Sequence, residues 1–207
     1  APSEIILLAR AEQADLIITG ARGHTAAAEI LLGSVSQQVA TNADCSVLVV
    51  RGRKRPAKVL IASDGSPDAE AGVELLVSLT PPKGAEVVVT SVVEPAMPPL
   101  DAPPDWVPDS LAELERWRRT SARKVAQSAA RRLQAAGWTA STHIAAGHPG
   151  NAVLKAARDV AADLVIIGAR GVHSPDDEAR GMGGIPRQIL ERASCSVLIS
   201  RARSAEA

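Results

Sequence analysis

Short aliphatic runs separated by amphipathic stretches set the pattern of this chain. Lys58-Val59-Leu60-Ile61-Ala62-Ser63, Glu86 to Val92, Trp138 to Ala145, Leu164 to Ile167 and Val197 to Ser200 are read as strands. The apolar ones lack clean alternation, as strands buried on both faces should. Helices are predicted between them. The first has Ser66 as N-cap and Pro67 at its opening position, and runs to about Leu79 before Pro81-Pro82. A loop with Pro95, Pro98, Pro99, Pro103 and Pro104 follows the second strand. A long helix is then expected from Pro108 or Asp109 to Ala136, with the stripe Leu111, Leu114, Val125, Ala129, Leu133 and Ala136 facing inward. Trp117 is expected at the edge of that stripe, and Gly137 ends the helix. Further helices fall at about Gly150 to Ala161 and up to Arg192. Strands alternating with helices imply parallel βαβ units and an open α/β sheet covered on both faces.

The chain also repeats itself. Ala14-Asp15-Leu16-Ile17-Ile18-Thr19-Gly20-Ala21-Arg22-Gly23 returns as Ala162-Asp163-Leu164-Val165-Ile166-Ile167-Gly168-Ala169-Arg170-Gly171. Cys45-Ser46-Val47-Leu48-Val49-Val50-Arg51 returns as Cys195-Ser196-Val197-Leu198-Ile199-Ser200-Arg201. Residues 1–53 thus match only the last third of a unit whose complete copy fills 58–203, with 54–57 as linker. A truncated gene product, or a fragment of a longer tandem protein, is the expected origin.

Composition narrows the function classes. The 207 residues carry 23 basic and 23 acidic side chains, so no net positive field favours nucleic acid. No apolar run approaches the roughly 18 residues of a membrane span, and Ile5 to Ala9 is too short for a signal peptide. A soluble, cytoplasmic protein is expected. With no Phe or Tyr and three Trp, aliphatic side chains must build the core. Cys45 and Cys195 hold matching repeat positions before a strand and read as buried small side chains. His24, His143, His148 and His173 are scattered, and no His/Cys cluster suggests metal.

The chemistry concentrates after the Ala-Asp-Leu strands. Gly20, Gly23, Gly33 and Ser34, with Ser36 beyond, form a Gly-x2-Gly-x9-Gly-Ser pattern between a strand and a helix. A loop wrapping phosphates needs close backbone approach and inward N–H groups, which glycine permits. The helix opening at Gly33-Ser34 adds free N–H donors and the positive end of its dipole. A plain tight turn would use the same glycines. Together with Ser63-Asp64-Gly65-Ser66 and the Cys-Ser-Val-Leu strands, this pattern resembles the universal stress protein family over nearly the whole chain.

The resemblance implies a Rossmann-like parallel sheet of five strands in the order 3-2-1-4-5, with Asp64 and Gly168 facing each other across the crevice at the switch point. It implies that Asp64 contacts the adenosine portion of ATP and that the strand end near Val92 helps hold the base. Asp64 can equally serve as a turn and helix-start residue. In the second copy Gly168, Arg170, Gly171, Gly183 and Gly184 mark the loop. Eleven residues now separate Gly171 from Gly183, Gly184 replaces the hydroxyl of Ser34, and Pro186 replaces Ser36. Asp176, Asp177 and Glu178 would repel phosphates, whereas Arg170, Arg180 and Arg187 could offset them. Weak or absent ATP binding is therefore expected for the complete copy.

The first copy has the intact loop and lacks strands one to three. A circular permutant would need a parallel crossover of a dozen or more residues, and only seven lie between Val50 and Lys58. Antiparallel pairing of the two fifth strands, as the resemblance implies, needs only to cross three strand spacings, about 14 Å. The basic run Arg51-Arg53-Lys54-Arg55 is then a solvated linker, an anion patch being the alternative. Leu16-Ile17-Ile18 would be an exposed apolar edge that invites self-association.

These features favour a stress-response protein that binds ATP, with Mg2+ as its accompanying ion, and acts by binding and signalling. The rival is a dimerisation or interaction module with decayed sites. A slow nucleotide-using enzyme ranks last, because no general base or nucleophile constellation is placed for turnover. Neither nucleic acid nor membrane is an expected partner.

Overall fold

Seven strands form one sheet in the order β1-β2-β7-β6-β3-β4-β5, in a computed structural model that describes residues 1–21, 32–52, 56–95, 108–172 and 181–202. The elements run α1 (Pro2–Ala11), β1 (Leu16–Gly20), α2 (Ser34–Asn42), β2 (Ser46–Val50), β3 (Lys58–Ala62), α3 (Pro67–Val77), β4 (Glu86–Val93), α4 (Pro108–Ala135), β5 (Thr139–Ala146), α5 (Pro149–Asp159), β6 (Leu164–Gly168), α6 (Gly184–Arg192) and β7 (Ser196–Ser200). The fold is α/β and the sheet is mostly parallel. It has seven strands rather than five because β2 pairs antiparallel with β7, Val47 opposite Ile199 and Val49 opposite Val197. The five strands from Lys58 onward keep the order 3-2-1-4-5 among themselves.

The aliphatic runs become strands because both sheet faces are covered. Leu60, Val165, Val197 and Ile199 join Val39, Ile189 and Leu190 in a cluster under α1, α2, α5 and α6. On the other face Ile61, Ile166 and Leu198 pack with Val73, Leu76, Ala129 and Leu133 of α3 and α4. Helix α3 starts where the sequence sets it: Ser66 Oγ accepts the Ala69 N–H at 3.3 Å, and Pro67 supplies the opening φ.

Three sequence expectations need correction. Trp117 is 66% exposed, and Leu114 is exposed as well. Only the second half of α4 is drawn into the core, through Ala126, Ala129, Ala130 and Leu133. Trp138 precedes β5 rather than opening it, buried with its Nε1–H donating to the Leu76 carbonyl at 3.0 Å. The basic run is not wholly solvated. Arg51 reaches back with its guanidinium to the carbonyls of Leu190 at 2.6 Å and Cys195 at 3.3 Å; Arg53, Lys54 and Arg55 lie outside the described residues.

Arg51 has a repeat partner, and the two act reciprocally. Arg201 donates to the carbonyls of Ala40 at 2.6 Å, Thr41 at 3.2 Å and Cys45 at 3.4 Å. Each arginine thus crosses the β2–β7 seam and caps the last carbonyls of the opposite helix, where a cation also meets the negative end of the dipole. Two serines complete the pattern: Ser196 Oγ accepts the Arg51 N–H at 3.0 Å, and Ser46 Oγ accepts the Arg201 N–H at 3.1 Å. Burial pulls the Arg201 guanidinium below its ordinary value, with Asp68 acting in the opposite direction.

Candidate functional site

Two loop regions follow the carboxyl ends of β1, an edge strand, and of β6, an inner one. Beyond β6, the loop from Gly168 is tied down by three side chains from the start of α3. Asp64 Oδ1 accepts the Ser66 N–H at 2.9 Å and its Oδ2 accepts the Val172 N–H at 2.9 Å. Ser66 Oγ donates to the Arg170 carbonyl at 3.1 Å. Asp68, 3% exposed, accepts the Arg170 N–H at 3.1 Å, its Nε–H at 3.3 Å and the Ala202 N–H at 2.8 Å. Asp68 is the residue that sequence reading missed. Its signal was a second carboxylate four positions beyond Asp64, in the first turn of α3.

The glycines here are explained by close approach. A Cβ at Gly168 would meet the Ala69 nitrogen at 2.7 Å and the Asp68 carbonyl carbon at 3.0 Å, and one at Gly171 would meet Asp64 Oδ2 at 2.7 Å. Asp64 follows β3 and Gly168 ends the neighbouring parallel strand β6, and both of Asp64's oxygens already hold backbone N–H groups. Gly183 closes the loop by donating its N–H to the Ala169 carbonyl at 2.9 Å. It is the N-cap of α6, with Gly184 exposed in the first turn and Pro186 buried. Val92 is partly buried against the hydrophobic cluster. Residues 173–180, including His173, Asp176, Asp177, Glu178 and Arg180, lie outside the described residues.

Beyond β1 the same closure recurs, with the Gly33 N–H donating to the Ala21 carbonyl at 2.8 Å. Helix α2 opens at Gly33 with no side-chain cap and no acid in its first turn. Ser34 is exposed there. Ser36 is otherwise engaged: buried, it donates its hydroxyl to the Gly20 carbonyl at 2.6 Å. A hydroxyl has one proton, so in this arrangement it cannot also donate to a phosphate. Gly23 and His24 lie outside the described residues. Among the described residues no group of three or more His, Cys, Asp or Glu could hold a metal.

A model of the universal stress protein family matches residues 1–51 and again 57–201. The chain belongs to that family. Universal stress protein Rv1996 of Mycobacterium tuberculosis is 26% identical over 202 residues, covering 91% of this chain and 59% of its own length. The chain therefore spans about three fifths of this relative. A universal stress protein structure from Archaeoglobus fulgidus superposes with a TM-score of 0.61 at 22% identity, covering 99% of this chain and 66% of that one. A universal stress protein in complex with cAMP gives a TM-score of 0.50 at 20% identity, over 72% of this chain and 99% of that one. These likenesses show the fold that universal stress proteins share.

Cys45 and Cys195 are half-buried and unpaired with each other. Burial pushes both thiols up. Alkylation at about pH 8 should accordingly run slower in the folded chain than in denatured chain at the same pH, since the thiolate reacts. Equal rates would mean that the two sulfurs are not shielded. Among the described residues no helix is long and apolar enough to cross a membrane.

Proposed function

We propose that this universal stress protein family member binds the phosphates of an adenine nucleotide at the loop between β1 and α2, and acts by binding rather than turnover. The observation that carries this reading is the opening of α2. Its first-turn N–H groups lack a side-chain cap, lie beside exposed Ser34 and face no acid in that turn. Such a helix start favours an anion through both its free donors and its dipole. The cAMP complex of a structural neighbour lends support to an adenine nucleotide, and Mg2+ would accompany ATP. On this reading residues 1–53 are the C-terminal part of one family domain and 58–203 a complete second one, joined by 54–57.

A second reading applies to the longer part of the chain, which we take to be an interaction module. Both oxygens of Asp64 hold backbone N–H groups, Gly184 has no hydroxyl, and Pro186 has neither a hydroxyl nor an N–H. Gly168, Arg170, Gly171 and Gly183 then serve packing and loop closure, while a Cβ at exposed Gly184 would meet nothing within 4 Å.

Calorimetric titration with Mg-ATP tests the proposal on the whole chain. Ser34→Asp should weaken binding at least about tenfold by setting a carboxylate against the phosphates. It should leave the melting temperature equal or higher, because an acid in the first turn suits the dipole. Binding that survives Ser34→Asp and disappears with Asp64→Asn would move the site to the loop beyond β6.

A further inference from the structure

Charge is balanced over the whole chain and unbalanced along it. No Asp or Glu occurs between Glu115 and Asp159, while α4 carries seven basic residues from Arg116 to Arg132. Three of these are engaged. Arg132 pairs with Glu70 and Glu74, Arg118 donates to the Glu94 carbonyl at 3.3 Å, and Arg116 donates to the Ala112 carbonyl at 3.2 Å. Arg119, Arg123, Lys124 and Arg131 are exposed and, among the described residues, have no hydrogen-bond or ion-pair partner. Arg119, Arg123, Gln127 and Arg131 recur every four residues, so they form one stripe along the helix.

The stripe runs beside a sheet edge. β5 ends the sheet and pairs with β4 along its whole length, from Thr139 opposite Glu86 to Ala146 opposite Val93. Among the described residues its other side is open. Gly147 donates its N–H to the Val93 carbonyl at 3.1 Å. By strand alternation the backbone groups of His143 and Ala145 then turn toward β4, and those of Thr142, Ile144 and Ala146 turn outward. Gln134 of α4 agrees, its Nε2 donating to the outward Ala140 carbonyl at 2.7 Å. An open groove lies between helix and edge, with Gln127, Arg131 and Gln134 on one wall and Ala140 and Thr142 on the other. Gln134 stands at the start of β5 and Arg118 at the end of β4, so α4 runs antiparallel to both strands and its stripe follows the edge.

We propose that the outer side of β5, with Arg119, Arg123 and Arg131 beside it, is a docking edge for an extended acidic peptide of a partner protein, which adds to the sheet as a strand. The spacings agree. Alternate residues of a strand share a face and lie about 6.7 Å apart, and a four-residue step along a helix rises about 6 Å. Acids at every second position, on the α4 side of the added strand, therefore meet Arg131, Gln127, Arg123 and Arg119 in turn. The peptide backbone takes up the outward N–H and C=O groups of Thr142, Ile144 and Ala146. A second copy of this chain fits less well. Pairing β5 with β5 about a two-fold axis perpendicular to the sheet sets two arginine stripes side by side on one face, like charge against like. A nucleic-acid strand would meet the arginines and leave the row of amides and carbonyls unpaired.

The probe is a fluorescein-labelled peptide of about ten residues alternating Glu and Thr, long enough to span the edge, titrated into the whole chain at low salt. Fluorescence anisotropy should show binding that weakens at least about tenfold when Arg123→Glu and Arg131→Glu are combined. Hydrogen exchange of the Thr142, Ile144 and Ala146 amides should slow at least about tenfold in the complex, with the amides of β1 unchanged. Thr142→Pro removes one outward N–H, a change an edge strand tolerates, and should abolish binding with every arginine in place. No binding, binding that survives Thr142→Pro, or binding that leaves those three amides unprotected would overturn the proposal and reduce the arginines to guards of the edge. Tighter binding of an oligothymidylate of equal length would overturn it too, naming a nucleic acid as the occupant.

Discussion

Gly168→Ala is expected to lower the stability of the chain by about 3 kcal/mol, the upper part of the usual range for overpacking a tight site. In a chain of this size that corresponds to a melting temperature roughly 6–12 °C lower. The reason is the nature of the neighbours. The added methyl would meet backbone atoms of Asp68 and Ala69 at 3.0 and 2.7 Å, together with the Arg170 carbonyl oxygen at 3.1 Å. None of these is a flexible side chain that could swing aside, so β6 and the start of α3 must separate. Separation would also lengthen the Asp68 bonds to Arg170 and Ala202. The repeat supplies its own control. Gly20 is exposed, and among the described residues no counterpart of α3 lies over it, so Gly20→Ala should cost under about 1 kcal/mol. Denaturant midpoints of the two variants, compared at constant m-value, decide the matter. Equal losses would show that Gly168 is kept for something other than space.

The second large effect belongs to the arginines of the seam. Arg201→Ala should cost about 2–3 kcal/mol, because a charged donor to the carbonyls of Ala40, Thr41 and Cys45 disappears from a partly buried place. Arg201→Lys should recover only part of the loss. A single ammonium lacks the planar fork that lets the guanidinium reach several carbonyls at once. Arg51→Ala should behave alike at Leu190 and Cys195. The double variant should show whether the two clamps add or share their effect across β2 and β7. A loss below about 0.5 kcal/mol for Arg201→Ala would mean that water replaces the guanidinium without penalty.

Much of the architecture was legible because strands buried on both faces leave little choice of residue. Leu60, Ile61, Val165, Ile166, Val197 and Ile199 can be aliphatic only where helices lie on either side. The family resemblance supplied the pairing of β2 with β7, and a connection of seven residues fits it. The N-terminal helix α1 escaped notice because Leu7 and Leu8, both exposed, blur its apolar face. Trp117 was misplaced for a related reason: periodicity marks a face of α4, and nothing in it says where the sheet beneath that face ends.

The site was harder to read than the fold. Glycine spacing located both loops, yet the same spacing serves phosphate contact and tight packing. At Gly168 and Gly171 the packing role is plain once Asp64, Asp68 and Ala69 are in place. Ser36 resembled a ligand donor until its hydroxyl was found on the Gly20 carbonyl. Arg51 and Arg201 were visible as matching ends of the repeat. Their targets were not, since carbonyls at a helix end leave no mark in a sequence.

The reversed strand direction at the seam has a consequence for ligands. β1 follows β2 and β6 follows β7, so β1 and β6 point opposite ways, and the loops beyond them open at opposite poles of the slab. Even a five-residue strand separates the two mouths by about 17 Å, and three inter-strand steps add to the distance. No one small molecule can bridge both poles. On the proposed reading, a ligand at one pole would reach the other only through the four strands β1, β2, β7 and β6, whose seam the two arginines bridge.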